Sequence, residues 1–160
     1  MATKSRFESF VEERVKELAA SRRAMLKAAL DAEEAKIDAK FEKYTSMIQQ
    51  GISALTQKVF AKAEADGCDV QDRSEVDDSL ANWLKDKLKA ALGFEKKYDY
   101  GKCRHLWPEG TAVRKAQDAL DEFDALCEKE ARRIVVYKMD LGMKPEKFEA
   151  VLAETAKLFE

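Results

Sequence analysis

KFEKYTSMIQQGISALTQKVF, residues 40–60, decides the fold, because the glycine at position 51 either breaks a helix into a hairpin or lets it run on. Phe41, Tyr44, Ile48, Ile52, Leu55 and Val59 recur at intervals of three and four, and the register crosses Gly51 without a slip. A turn at Gly51 would reset that register, whereas a mid-helix glycine costs only about 1 kcal/mol relative to alanine. The spacing therefore predicts one continuous helix.

Outward from this stretch, Phe7 to Ala65 contains no proline and no glycine other than Gly51. Val15, Leu26, Ile37, Ile48 and Val59 fall eleven apart, and four residues beyond each stand Ala19, Leu30, Phe41, Ile52 and Ala63. Eleven residues in three turns is about 3.67 per turn, so the stripe fits either a straight amphipathic helix or a weakly right-handed coiled coil. A helix over about 5–66 would be about 90 Å long, against a radius of gyration of about 15 Å for a compact chain of this size. An elongated molecule is expected, with the stripe needing a cover.

Three further helices are expected over about 75–92, 110–141 and 145–159. Val76, Leu80, Leu84, Leu88 and Leu92 lie four apart, with Trp83 and Ala91 widening the face. In the third helix a heptad of apolar residues from Val113 to Leu141 is broken at Glu130. Gly67, Gly93 and Gly142 are expected C-caps, Asp72 or Ser74 an N-cap, and Pro145 a first-turn residue. The fold class is all-α, an elongated helical hairpin or bundle with coiled-coil-like packing, read as a single domain over 1–160.

Composition narrows the function classes. The chain has 29 basic and 31 acidic residues evenly spread, so no global field draws in nucleic acid or an anionic membrane. The longest aliphatic or aromatic run, Ile134 to Tyr137, is far below the ~20 residues of a bilayer span, so no membrane partner is expected. Three widely spaced cysteines and a start lacking an apolar leader suggest a reducing, cytoplasmic setting.

The segment YDYGKCRHLWPEG, residues 98–110, concentrates the side chains with chemistry. Cys103 and His105 are too close in sequence to meet readily as nucleophile and base, and no third group accompanies them, so no catalytic residue is assigned. Cys68, Cys103, His105 and Cys127 match a zinc site in number, but no pair has CxxC spacing and Cys127 occupies a helix core position. No cofactor is expected. Lys96, Lys97, Lys102, Arg104 and Trp107 mix cations with a stacking surface, as single-stranded nucleic acids require, although Glu95, Asp99 and Glu109 dilute the charge. The competing reading has the aromatic residues of 93–109 folding inward to close the end of the bundle.

These readings favour a non-enzymatic adaptor, inhibitor or assembly factor that binds protein through helix packing, most simply a second copy of itself. Its expected anchors are Ile37, Phe41, Tyr44, Ile48, Ile52 and Leu55, so Ile48→Asp should weaken assembly more than Glu34→Ala. The alternative is a nucleic-acid-associated protein using residues 94–110.

Overall fold

The computed structural model describes residues 5–69, 73–141 and 144–160. The chain is all-α, with helices α1 (Arg6–Ala65), α2 (Arg73–Ala91), α3 (Ala112–Leu141) and α4 (Pro145–Leu158), and strands β1 (Lys97–Asp99) and β2 (Arg104–Leu106) between α2 and α3. Helix α1 runs 60 residues and continues through Gly51.

Its ends are built from local sequence. Ser5 and Glu8 form a reciprocal cap: the Glu8 amide donates to Ser5 Oγ at 3.2 Å and the Ser5 amide donates to Glu8 Oε2 at 2.6 Å. At the other end Gly67 takes φ +86°, the Cys68 amide reaches the Ala63 carbonyl at 2.9 Å, and the Gly67 amide reaches that of Glu64 at 3.0 Å. Only a residue tolerant of the left-handed region closes a helix this way. Gly93, at φ +68°, ends α2 likewise, and Pro145 opens α4. Helix α2 already includes Ser74; Asp72 and Gly142 lie outside the described residues.

Two compact units make up the chain, residues 1–32 with 115–160, and residues 33–114. In the first, Val11, Val15 and Ala19 of α1 pack with Ala131 and Ile134 of α3 and with Leu152 and Phe159 at the C-terminal end. Phe123 meets Phe159 edge-on at 5.4 Å, and Phe148 of α4 lies 6.0 and 5.9 Å from Phe7 and Phe10. Buried Glu130 interrupts the heptad of α3 because it accepts a hydrogen bond from Arg133 Nε at 2.7 Å. Arg23 grips the Asp124 carboxylate with Nε and Nη2, at 2.7 and 3.1 Å, joining α1 to α3.

In the second unit the C-terminal half of α1 packs antiparallel against α2. Lys89 lies over the Phe41 ring, Ser53 Oγ meets Asp77 Oδ2 at 3.4 Å, and Arg73 lies over the Phe60 ring. Ile52 and Thr56 of α1 are buried here, as is Ala81 of α2. The Thr56 hydroxyl donates to the Ile52 carbonyl at 3.0 Å, which lets a polar residue sit inside.

Residues 93–109 differ from the irregular loop expected. β1 and β2 form an antiparallel hairpin with Tyr98 opposite His105. Asp99 holds its tip by accepting from the amides of Gly101 and Lys102 at 2.8 and 3.1 Å, and Cys103 adopts φ +51° where the chain turns back. Strands of three residues are too short to show a periodicity of two in the sequence.

Candidate functional site

The hairpin and its flanks divide into an inner and an outer half. Trp107 is 8% exposed and donates its indole N–H to Glu34 Oε1 of α1 at 3.0 Å. The same carboxylate pairs with Lys96 at 2.9 Å, and the Lys96 ammonium lies 5.2 Å from the Trp107 ring centroid. Arg114 Nη1 donates to the Trp107 carbonyl at 3.0 Å. Phe94 meets Phe41 of α1 edge-on at 6.4 Å. These contacts fasten the hairpin to α1: Trp107 faces inward, and Lys96, though exposed, is held against it by Glu34. Glu34 is accordingly not the inert surface residue that a control substitution needs.

The outer half carries Tyr98, Tyr100 and His105. The rings of Tyr98 and Tyr100 are 5.0 Å apart, those of Tyr98 and His105 5.1 Å, and Tyr100 is 85% exposed. Lys102 is exposed near the hairpin tip, Lys97 is exposed but lies opposite buried Leu106 on the other face of the strands, and Arg104 is half-buried. Thus the same hairpin plugs with one side and displays aromatic rings with the other.

The four candidate zinc ligands are not gathered into a site: among the described residues, no group of three or more His, Cys, Asp or Glu side chains is placed to hold a metal ion. Cys68 and Cys103 are exposed, while Cys127 is half-buried in α3. Burial, reinforced by the neighbouring Asp124 carboxylate, raises the Cys127 thiol above its ordinary pKa and so disfavours the thiolate. The hydrogen bond to Asp124 likewise raises Arg23.

The expected anchors of α1 are unequal. Ile52 is buried within its unit, and Ile37, Phe41 and Ile48 are half-buried, Phe41 beneath Phe94 and Lys89. Tyr44 and Leu55 are exposed, and they are joined on the same face by exposed Met47 and Val59. Helix α2 continues the display with exposed Val76 and Trp83, which flank a shallow hollow also lined by Glu75, Ser79 and Leu80. Leu55 at 57% and Trp83 at 56% exposure are large apolar side chains more than half in water. Isolated cases of this kind are ordinary, whereas a set of them on two packed helices makes this face the candidate site.

Sequence reasoning placed these residues on apolar stripes but did not separate the covered part from the displayed part. A signal existed. Leu55, Val76 and Trp83 each immediately precede an inward residue, Thr56, Asp77 and Leu84, so each stripe is wider than one helix contact can cover.

Among the described residues, no helix is long and apolar enough to cross a membrane. No family model, curated protein or solved structure matches the chain.

Proposed function

We propose that the protein is a non-enzymatic protein–protein interaction module, an adaptor, inhibitor or assembly factor that works by coiled-coil-like helix packing. The observation that carries this reading is the apolar face formed by Tyr44, Met47, Leu55 and Val59 of α1 with Val76 and Trp83 of α2. Burial of a Leu or Val side chain stabilises by about 1.5–3 kcal/mol, so a partner helix or helix pair laid on this face gains several such increments. Trp83 and Tyr44 are the residue types that concentrate binding energy at interfaces. Self-association is the simplest use of such a face.

Light scattering and affinity capture test this reading. Leu55→Asp should abolish association while Glu64→Ala, exposed elsewhere on α1, leaves it intact. Equal behaviour of the two variants contradicts the assignment.

A second reading, nucleic-acid association, is favoured by the exposed Tyr98, Tyr100 and His105 rings on a hairpin that also carries exposed Lys97 and Lys102. It predicts binding to a single-stranded oligonucleotide that falls steeply with salt and is lost in Lys97→Glu with Lys102→Glu. Binding unaffected by salt or by those reversals rejects it.

A further inference from the structure

The contacts of the second unit fix how α1 and α2 lie against each other. Twelve residues forward on α1, from Phe41 to Ser53, correspond to twelve backward on α2, from Lys89 to Asp77. Leu55 is therefore level with Glu75, Gly51 with Ser79, Ile48 with Asn82, and Tyr44 with Asp86, so that Val76, Leu80 and Trp83 each lie within one residue of Leu55, Gly51 and Ile48.

The displayed residues of both helices also lie on the same side of the pair. On α1 each displayed position is followed by an inward one, Gly51 by Ile52, Leu55 by Thr56 and Val59 by Phe60. On α2 the same step leads from Val76 to Asp77, from Leu80 to Ala81 and from Trp83 to Leu84. One residue is a rotation of about 100° in a fixed sense. Two antiparallel helices with the same rotational offset from their common contact present their displayed lines on one side. The result is one face two helices wide, apolar apart from exposed Lys87 of α2.

The outer edges of this face carry opposite charge. Lys36, Lys40, Lys43, Lys58 and Lys62 line the edge of α1, whereas Glu75, Ser79, Asn82 and Asp86 line that of α2, and all are exposed. Lys36 is paired with Glu33 of the same helix and Lys62 with Asp66 just past its end. Among the described residues, Lys43, Lys58, Glu75 and Asp86 have no ion-pair partner.

A second copy can cover the face with two-fold symmetry in two ways. A two-fold axis across the helices sets α1 on the partner's α1, which brings lysine edge against lysine edge. An axis parallel to the helices sets α1 on the partner's α2, so that Lys58 meets the partner's Glu75 and Lys43 the partner's Asp86. Lys43 and Asp86 are one residue from the same level and Lys58 and Glu75 three, about 1.5 and 4.5 Å, which a lysine side chain spans.

We propose that the occupant of this face is a second copy of the chain in the parallel-axis arrangement, α1 of each over α2 of the other. This rests on the reading of the face as an interaction surface and adds partner, symmetry and register. From Tyr44 to Val59 the face is about 23 Å long and, for two helices, about 20 Å wide, roughly 450 Å² of flat footprint on each copy. About 900 Å² over the two copies is below the roughly 1,200 Å² of a standard stable interface and places the pair in the class of weak, reversible dimers.

Sedimentation equilibrium of the full chain tests the register through charge exchange. Lys58→Glu or Glu75→Lys alone creates two like-charge contacts per dimer and should weaken self-association about 10-fold or more. An equimolar mixture of the two variants contains only opposite-charge contacts at these positions and should regain wild-type affinity. A mixture no tighter than its components overturns the register. In that event, loss of the dimer in Leu55→Asp still leaves the face as the interaction surface, whereas a dimer intact in Leu55→Asp removes that reading too. Wild-type chain that stays monomeric up to about 500 µM overturns the second copy as occupant.

Discussion

Gly51→Ala tests the continuity of α1 directly. Glycine loses more backbone freedom in a helix than alanine does, at a cost of about 0.5–1 kcal/mol. A Cβ at position 51 would meet nothing within 4 Å, so no steric term offsets that gain. The substitution should therefore stabilise the protein by about 0.5–1 kcal/mol, and with a urea dependence of about 2 kcal/mol/M the midpoint rises by about 0.25–0.5 M. Urea titrations followed by far-ultraviolet circular dichroism, at concentrations low enough to keep copies apart, measure this. Gly51→Pro supplies the opposite arm, costing about 3 kcal/mol by removing a ladder hydrogen bond and clashing with the preceding turn. A lowered midpoint for Gly51→Ala would mean that residue 51 is not helical and that the register across it is fortuitous.

Other consequences follow from single side chains. Ile134 is fully buried in the first unit, so Ile134→Ala should cost about 2–5 kcal/mol in chemical denaturation; a loss below about 1 kcal/mol would refute that core. Glu34→Ala leaves the indole N–H of Trp107 without its acceptor and Lys96 without its partner. It should cost about 1 kcal/mol or more and shift the tryptophan emission, whereas an unchanged spectrum would contradict the inward placement of Trp107. Burial raises the Cys127 pKa, so the folded state favours the protonated thiol and loses stability as pH rises above the unfolded-thiol value toward the folded one. In thiol labelling near neutral pH, Cys68 and Cys103 should react first and Cys127 only slowly; equal rates would contradict its packing.

Much of the helical architecture was legible in the sequence because helices are local objects. The unbroken register across Gly51, the glycines at 67 and 93 and the proline at 145 each report a backbone requirement at their own position. The hairpin was not legible, since its two strands are held by tertiary contacts, Phe94 on Phe41 and Trp107 on Glu34, rather than by strand propensity. The same limit applies to the candidate face. Periodicity places Ile52 and Leu55 on one stripe, but only the position of α2 makes Ile52 interior and leaves Leu55 in water. Glu130 and Trp107 show the converse, a charged residue and an amphipathic ring drawn inside because Arg133 and Glu34 complete their hydrogen bonds.

Tyr44, Met47, Leu55 and Val59 of α1 with Val76 and Trp83 of α2 form the face on which the proposed self-association depends. The most direct test is the concentration dependence of the solution mass of the wild-type chain beside the Leu55→Asp, Trp83→Asp double variant. The mass of the wild type should rise from monomer toward dimer as concentration increases through the micromolar range and beyond, while the variant stays a monomer of unchanged helical content. An identical mass for both proteins at every concentration would contradict it.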